Sequence, residues 1–149
     1  HESEKIMIVS SDKDFQQLLV IRRLAADLDI PVDIVGCPVI REPDGLALSS
    51  RNAYLSEANR VVAPTLYTIL QQTAERVRSA EFCRAAEAWA KNELIQRGFT
   101  NVDYVEIRDE ETLRSVDMVK NGTPQTRVFG AAHLGTTRLI DNVAVTFHD

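Results

Sequence analysis

No stretch of this chain approaches the roughly 18 consecutive apolar residues that a membrane-spanning helix needs, and no segment carries a large surplus of positive charge. The first absence argues against a membrane protein. The opening residues, "HESEKIMIVSS", have no basic segment followed by a long apolar run and a cleavage site, so no secretory leader is expected and the chain reads as cytoplasmic. Its 17 Lys and Arg are outnumbered by 22 Asp and Glu, for a net charge of −5. That balance gives no broad attraction for the phosphate backbone of a nucleic acid. A small anionic ligand would have to be held locally.

Cysteine and histidine are scarce as well. Cys37 and Cys83 lack metal-type spacing and form no disulfide framework, and both are expected as reduced core thiols. The three histidines, His1, His133 and His148, have no partner carboxylate or cysteine at catalytic or metal spacing, and are expected to be structural or solvent-facing. There is no internal repeat and no low-complexity segment. What is present is a chain of 149 residues, 44% hydrophobic and 26% charged. Those values fit a soluble globular protein of one domain, or one domain with part of another.

The run "KIMIVSS" reads as a buried strand ending at Ser10 and Ser11. Asp12 or Asp14 can cap a following helix, whose apolar positions Phe15, Leu18, Leu19, Ile21 and Leu24 carry it to about Leu28. "PVDIVGCPVI" then gives a second strand. A strand, helix and strand at this spacing make a right-handed βαβ unit with parallel strands, and one such unit cannot cover both faces of its sheet.

At "REPDGLALSSRN" the composition changes, with Pro43, Asp44 and Gly45 forming a turn or hinge. Ser56 then caps a helical pattern bearing Val62, Leu66, Ile69, Leu70, Ala74 and Val77, which Pro64 either starts or kinks. A further helix is expected from about Glu81 to Arg97, with Phe82, Ala85, Ala86, Trp89, Ala90, Leu94 and Ile95 inward and Gly98 closing it. "VDYVEIRD", "RVFGAAHL" and "TRLIDNVAV" alternate as strands, with a tight reversal at Gly135 between the last two. This second part is helices over a small, mainly antiparallel sheet, an α+β layer. Residues 120–126, "KNGTPQT", are the most loop-like stretch.

Lys13 follows the first strand at the mouth of the helix, where a parallel α/β sheet places ligands. Its charge suits a phosphate oxygen, and Asp14 could accept from a ribose or adenine group; a helix cap beside a solvated lysine explains the same residues. Gln16 and Gln17 cannot face the same way, and one of them could meet a substrate bearing hydroxyl and carboxylate groups. Ordinary surface amides are the competing reading. Ser49 and Ser50 offer hydroxyls and Arg51 a permanent, planar set of donors, beside a glycine that lets the chain approach a polyphosphate closely. A plain surface turn fits them equally well.

In combination, "KDFQQLLVIRRLAADLDIPVDIVGCPVIREPDGLALSSRNAYLS" resembles the pantoate–β-alanine ligase (pantothenate synthetase) family, and "GTTRLIDN" resembles that family's C-terminal strand pair. The resemblance runs from about residue 11 to about residue 145, with its segments in order and at family spacing. It implies an α/β fold, the terminal βαβ part of a Rossmann-like nucleotidyltransferase domain over residues 1–40 and a small α+β lid domain over residues 41–149. It also implies a reaction in which ATP and pantoate give pantoyl adenylate and pyrophosphate, after which β-alanine yields pantothenate and AMP. Mg2+ accompanies the nucleotide, and a homodimer stays open.

By motif match, Ser11, Asp12, Lys13 and Asp14 fall in the ATP-binding segment and Gln17 binds pantoate. Ile40 contacts the adenine region through its backbone, and Leu48, Ser49, Ser50 and Arg51 form the flexible phosphate-binding segment. The chain departs from the family in having Ser10 and Ser11 where an aromatic-glycine pair is usual. The family's His-x-Gly-His motif, its catalytic histidine and a second substrate-binding Gln have no counterpart in these residues, so no catalytic residue is identified and the chain alone is expected to be weakly active or inactive. Two other readings compete. A non-catalytic lid or oligomerisation module would show no nucleotide dependence. A metal-dependent 5′ nuclease fragment, suggested by "IVSSDKDFQQL" alone, would need further carboxylates for two metal ions and a basic DNA surface.

Overall fold

Two short, β-branched runs separated by one helical repeat fold as a parallel pair. The computed structural model describes residues 6–11, 15–29, 32–37, 39–121 and 125–147, with backbone alone for 6–11, 15–18 and 32–37. These fall into two compact units, residues 1–40 and 41–149. In the first, β1 (Ile6–Ser11) lies beside β2 (Val32–Cys37) in parallel register from Ile6 opposite Val32 to Ser11 opposite Cys37. The crossover between them is α1 (Phe15–Asp27), packed on both strands. Val20 and Leu24 stand exposed along it, and Leu28 just past its end.

The second unit begins with a 3-10 turn, Ser50–Tyr54, followed by α2 (Glu57–Val62), α3 (Thr65–Arg78) and α4 (Cys83–Gln96). Ser56 caps α2, its Oγ accepting the Asn59 N–H at 3.1 Å. Pro64 divides the helical pattern: α2 stops at Val62 and α3 starts at Thr65, because proline tolerates only the entry to a helix. α4 ends in a paired cap at Gly98 (φ +116°), with Phe99 N–H on Leu94 O at 3.0 Å and Gly98 N–H on Ile95 O at 3.2 Å. Phe99 and Leu94 are both buried, which supplies the apolar contact this cap usually carries.

Three antiparallel strands complete the unit, in the order β3 (Asn101–Asp109), β4 (Thr126–Leu134), β5 (Thr137–Val145). β4 and β5 are joined by Gly135 and Thr136, with Leu134 opposite Thr137. Gly135 has φ +61° at the first loop position, as a tight hairpin turn requires. α3 and α4 lie on the sheet, and Leu66, Ile69, Leu70, Ala74 and Val77 of α3 are all buried, as their spacing predicts. Gly130 in β4 permits this approach, since a Cβ there would come within 2.9 Å of the Leu70 side chain.

On α4 the inward face differs from the sequence expectation. Cys83, Ala86, Glu87, Ala90 and Leu94 are buried, whereas Phe82, Ala85 and Ile95 are exposed. Phe82 is the extended residue before the first helical turn, so the helical period does not place it inward. Glu87 takes an inward position because β3 is an edge strand with backbone donors to satisfy. Its Oε2 accepts the Ile107 N–H at 2.7 Å, and burial pushes its carboxyl pKa up. Cys83 is buried as expected, and burial raises its thiol pKa to about 11. Among the described residues no helix is long and apolar enough to cross a membrane.

Candidate functional site

The second unit opens on a small hairpin whose base is tied to its last strand. Arg41 pairs with Ala47 across an antiparallel bridge, and Glu42 O accepts the Gly45 N–H at 2.9 Å around Pro43 and Asp44. Proline second and glycine fourth suit such a turn. Gly45 has φ +98°, and a Cβ added there would lie 2.7 Å from the Tyr67 ring. No other residue fits without displacing Tyr67 or the backbone.

The Arg41 guanidinium grips Asp141 of β5 with two bonds, Nη1 to Oδ2 at 2.6 Å and Nη2 to Oδ1 at 2.9 Å. It also donates to Gly45 O at 3.1 Å and lies 3.7 Å above the centre of the Tyr67 ring. The Asp141 side chain is 2% exposed and that of Arg41 18%. Fork-to-fork pairing with stacking on an aromatic face is geometry that lysine could not reproduce.

The serine-arginine segment stands on this base. Leu46 and Ala47 are buried, Leu48 is exposed, and Ser49 begins the 3-10 turn by accepting the Arg51 N–H through its Oγ at 3.2 Å. A hydroxyl that accepts through a lone pair keeps its own hydrogen to donate. The Asn52 amide reaches back to Ala47 O at 3.0 Å and fastens the turn to the hairpin. Ser50 and Arg51 are exposed, and no carboxylate among the described residues pairs with the Arg51 guanidinium. The stretch that reads as a loop is thus a short, anchored turn presenting two hydroxyls and a guanidinium.

Beside it lies a cleft of about 460 Å³ lined by Arg51, Tyr54, Thr136, Thr137 and Arg138. Arg138 is fixed by Asp103, whose Oδ2 accepts the Nε–H at 2.8 Å and also lies 3.0 Å from His133 Nε2. These partners, Arg138 first, hold the Asp103 carboxyl below its usual pKa. His133 therefore has a carboxylate neighbour after all. The register of β3 on β4 slips between Val102 and Tyr104, leaving Asp103 as the extra residue of a bulge. Bulges re-aim side chains, and linear spacing gives no sign of this one.

Leu48, Ser49, Ser50 and Arg51 are therefore brought together on one turn. Ser11 ends β1 at the carboxyl end of the parallel pair, Gln17 lies in the first turn of α1, and Ile40, 65% exposed, precedes the boundary of the units. Asp12, Lys13 and Asp14 lie outside the described residues. Sequence reasoning assigned nothing to Arg41, Asp141 or Arg138. A charged residue inside the apolar run "LIDNVAV" was the available signal for Asp141.

Comparison with known proteins covers nearly the whole chain. The family profile described as pantoate-beta-alanine ligase matches residues 6–144. The pantothenate synthetase of Dinoroseobacter shibae is 48% identical over 133 residues, which is 89% of this chain and 47% of that protein. That of Caulobacter vibrioides is 47% identical over 144 residues, 97% of this chain and 50% of the relative. Among solved structures, the Thermus thermophilus enzyme superposes with a TM-score of 0.82 at 39% identity, covering 95% of this chain and 50% of that one. The Francisella tularensis pantoate-beta-alanine ligase, complexed with beta-gamma ATP and β-alanine, gives 0.66 at 27% identity, covering 95% and 44%.

The chain spans about half the length of the relatives it matches. Its fold is α/β, a parallel βαβ unit followed by a small unit of helices over a three-stranded antiparallel sheet, as in the pantothenate synthetase structures it superposes on. The ordered motifs, the profile match and the shared fold agree, and the chain belongs to the pantoate–β-alanine ligase family.

Proposed function

We propose that this chain supplies the C-terminal half of an ATP-dependent ligase that joins pantoate to β-alanine. The observation that carries the reading is the Ser49-Ser50-Arg51 turn, with Ser50 and Arg51 exposed and no carboxylate partner for the guanidinium among the described residues, in a chain matched by this family from residue 6 to residue 144. In the proposed reaction a pantoate carboxylate oxygen attacks the α-phosphorus of ATP, the bond to the β-phosphate bridge breaks, and pyrophosphate leaves. The amine of β-alanine then attacks the acyl carbon of pantoyl adenylate. AMP departs with the acyl-phosphate oxygen, the nitrogen loses a proton, and pantothenate remains.

Ser11, Asp12, Lys13 and Asp14 hold the nucleotide in this proposal, Gln17 binds pantoate, and Ile40 meets the adenine through its backbone. Leu48, Ser49, Ser50 and Arg51 hold the phosphates. These groups position the reactants and stabilise the charge that gathers on departing pyrophosphate, with no covalent enzyme intermediate. Mg2+ travels with the phosphates, as it commonly does. Among the described residues no three His, Cys, Asp or Glu side chains gather to hold a metal.

AMP release from pantoate, β-alanine and Mg-ATP tests the proposal. The 149-residue polypeptide alone should release little, yet should bind ATP in a titration that Arg51→Ala weakens. Full turnover by the polypeptide alone would overturn the half-enzyme reading. ATP binding indifferent to Arg51 would overturn the role of the turn.

A further inference from the structure

The cleft beside the serine-arginine turn has a composition unlike the rest of the chain. Two of its five lining residues are arginines, two are threonines, one is tyrosine, and none is Asp or Glu, although the whole chain carries a net charge of −5. Arg51 belongs at once to the turn and to the cleft, so an anion held by the Ser49 and Ser50 hydroxyls has a cationic path onward. Arg138 stands in the same lining at the start of β5. Its orientation is set from behind, because Asp103 on the β3 bulge accepts its Nε–H at 2.8 Å and Tyr104 adds a further hydrogen bond. A guanidinium with five donors is not exhausted by these contacts, and one held in place loses less freedom on meeting an oxyanion.

We propose that this cleft is a pyrophosphate-holding extension of the nucleotide site, in which Arg138 and Arg51 clasp the β- and γ-phosphates and Thr136 and Thr137 offer further hydroxyl donors. The proposal rests on the ligase reading and goes beyond it in adding the β4–β5 hairpin to the phosphate site. At about 460 Å³ the cleft is of ordinary ligand size. Two guanidinium groups answer the high charge of pyrophosphate, where AMP, with one phosphate, needs neither. Arg138 is thus a binding residue for the leaving group, and Asp103 is its positioning residue.

The test titrates the 149-residue polypeptide separately with Mg-pyrophosphate and with AMP, followed by 31P NMR. Arg138→Gln should weaken pyrophosphate binding about tenfold, the loss expected for a charge-assisted hydrogen-bond pair, and leave AMP unchanged. Arg138→Lys, which keeps the charge and can still meet Asp103, should recover part of the loss. Arg97→Gln removes the same charge from the end of α4 and should behave as wild type, and thermal melts identify any variant that fails to fold. Equal pyrophosphate binding in Arg138→Gln and Arg97→Gln would overturn the proposal, as would wild-type polypeptide that binds AMP but no pyrophosphate. In both cases the ligase reading survives. Failure of the wild-type polypeptide to bind any of AMP, ATP and pyrophosphate would sink both.

Discussion

Replacing Asp141 with alanine should uncouple the serine-arginine turn from the strand that supports it. In the native structure the carboxylate takes two bonds from Arg41, at 2.6 and 2.9 Å, and one from the Asn142 N–H at 2.8 Å, with 2% of its side chain exposed. Removing one partner of a buried ion pair costs about 3–5 kcal/mol, because the other charge stays buried without compensation. Arg41 is 18% exposed and keeps its bond to Gly45 O and its stacking on Tyr67, so the lower end applies, about 3 kcal/mol.

For a unit of this size that loss lowers the melting temperature by roughly 10–15 °C. Trp89 is the single tryptophan of the chain and lies within the second unit, so urea unfolding followed by its fluorescence reads the right unit. Arg41→Met combined with Asp141→Leu should cost much less than the two single changes added together, since it removes both charges from the interior. A loss below about 1 kcal/mol for Asp141→Ala, or strict additivity in the double variant, would refute the view that this pair braces the turn.

Three further outcomes are expected. Gly45→Ala should cost roughly 1–3 kcal/mol, measured by the same urea titration, since φ is +98° there and the new Cβ would sit 2.7 Å from Tyr67; unchanged stability would show that the turn yields easily. Asp103 has a folded-state pKa below its ordinary 3.8, so its contribution is complete above that value and is lost as pH falls through the lower folded value. Asp103→Asn should therefore flatten the stability curve in that acid window and leave the slope near neutrality unchanged, and an identical acid limb in the variant would contradict this. Cys83, fully buried and with its thiol pKa raised to about 11, should resist a thiol reagent at pH 8 in a Cys37→Ser background until urea opens the second unit; rapid labelling of the folded protein would contradict its place in the core.

Much of this architecture is written in local patterns. The parallel pair follows from two short apolar runs flanking one helical repeat, and the buried stripe of α3 and the cap at Gly98 follow from spacing and a single glycine. The phase of α4 did not follow, because a glutamate took an inward position to satisfy a backbone donor on the edge strand. The Arg41–Asp141 pair spans 100 residues, and the meeting of Asp103, His133 and Arg138 depends on one extra residue in β3. The donor groups of Ser49, Ser50 and Arg51 were visible in the sequence. Their anchoring from below, and a second arginine beside them, required the fold.

Complementation tests the central claim most directly. The 149-residue polypeptide would be mixed with the N-terminal half of a full-length relative, such as the Thermus thermophilus enzyme, and AMP and pantothenate measured after addition of pantoate, β-alanine and Mg-ATP. The account predicts equimolar AMP and pantothenate from the mixture, little from either part alone, and loss of both products with Arg51→Ala. Undiminished product formation by the Arg51→Ala mixture would contradict it.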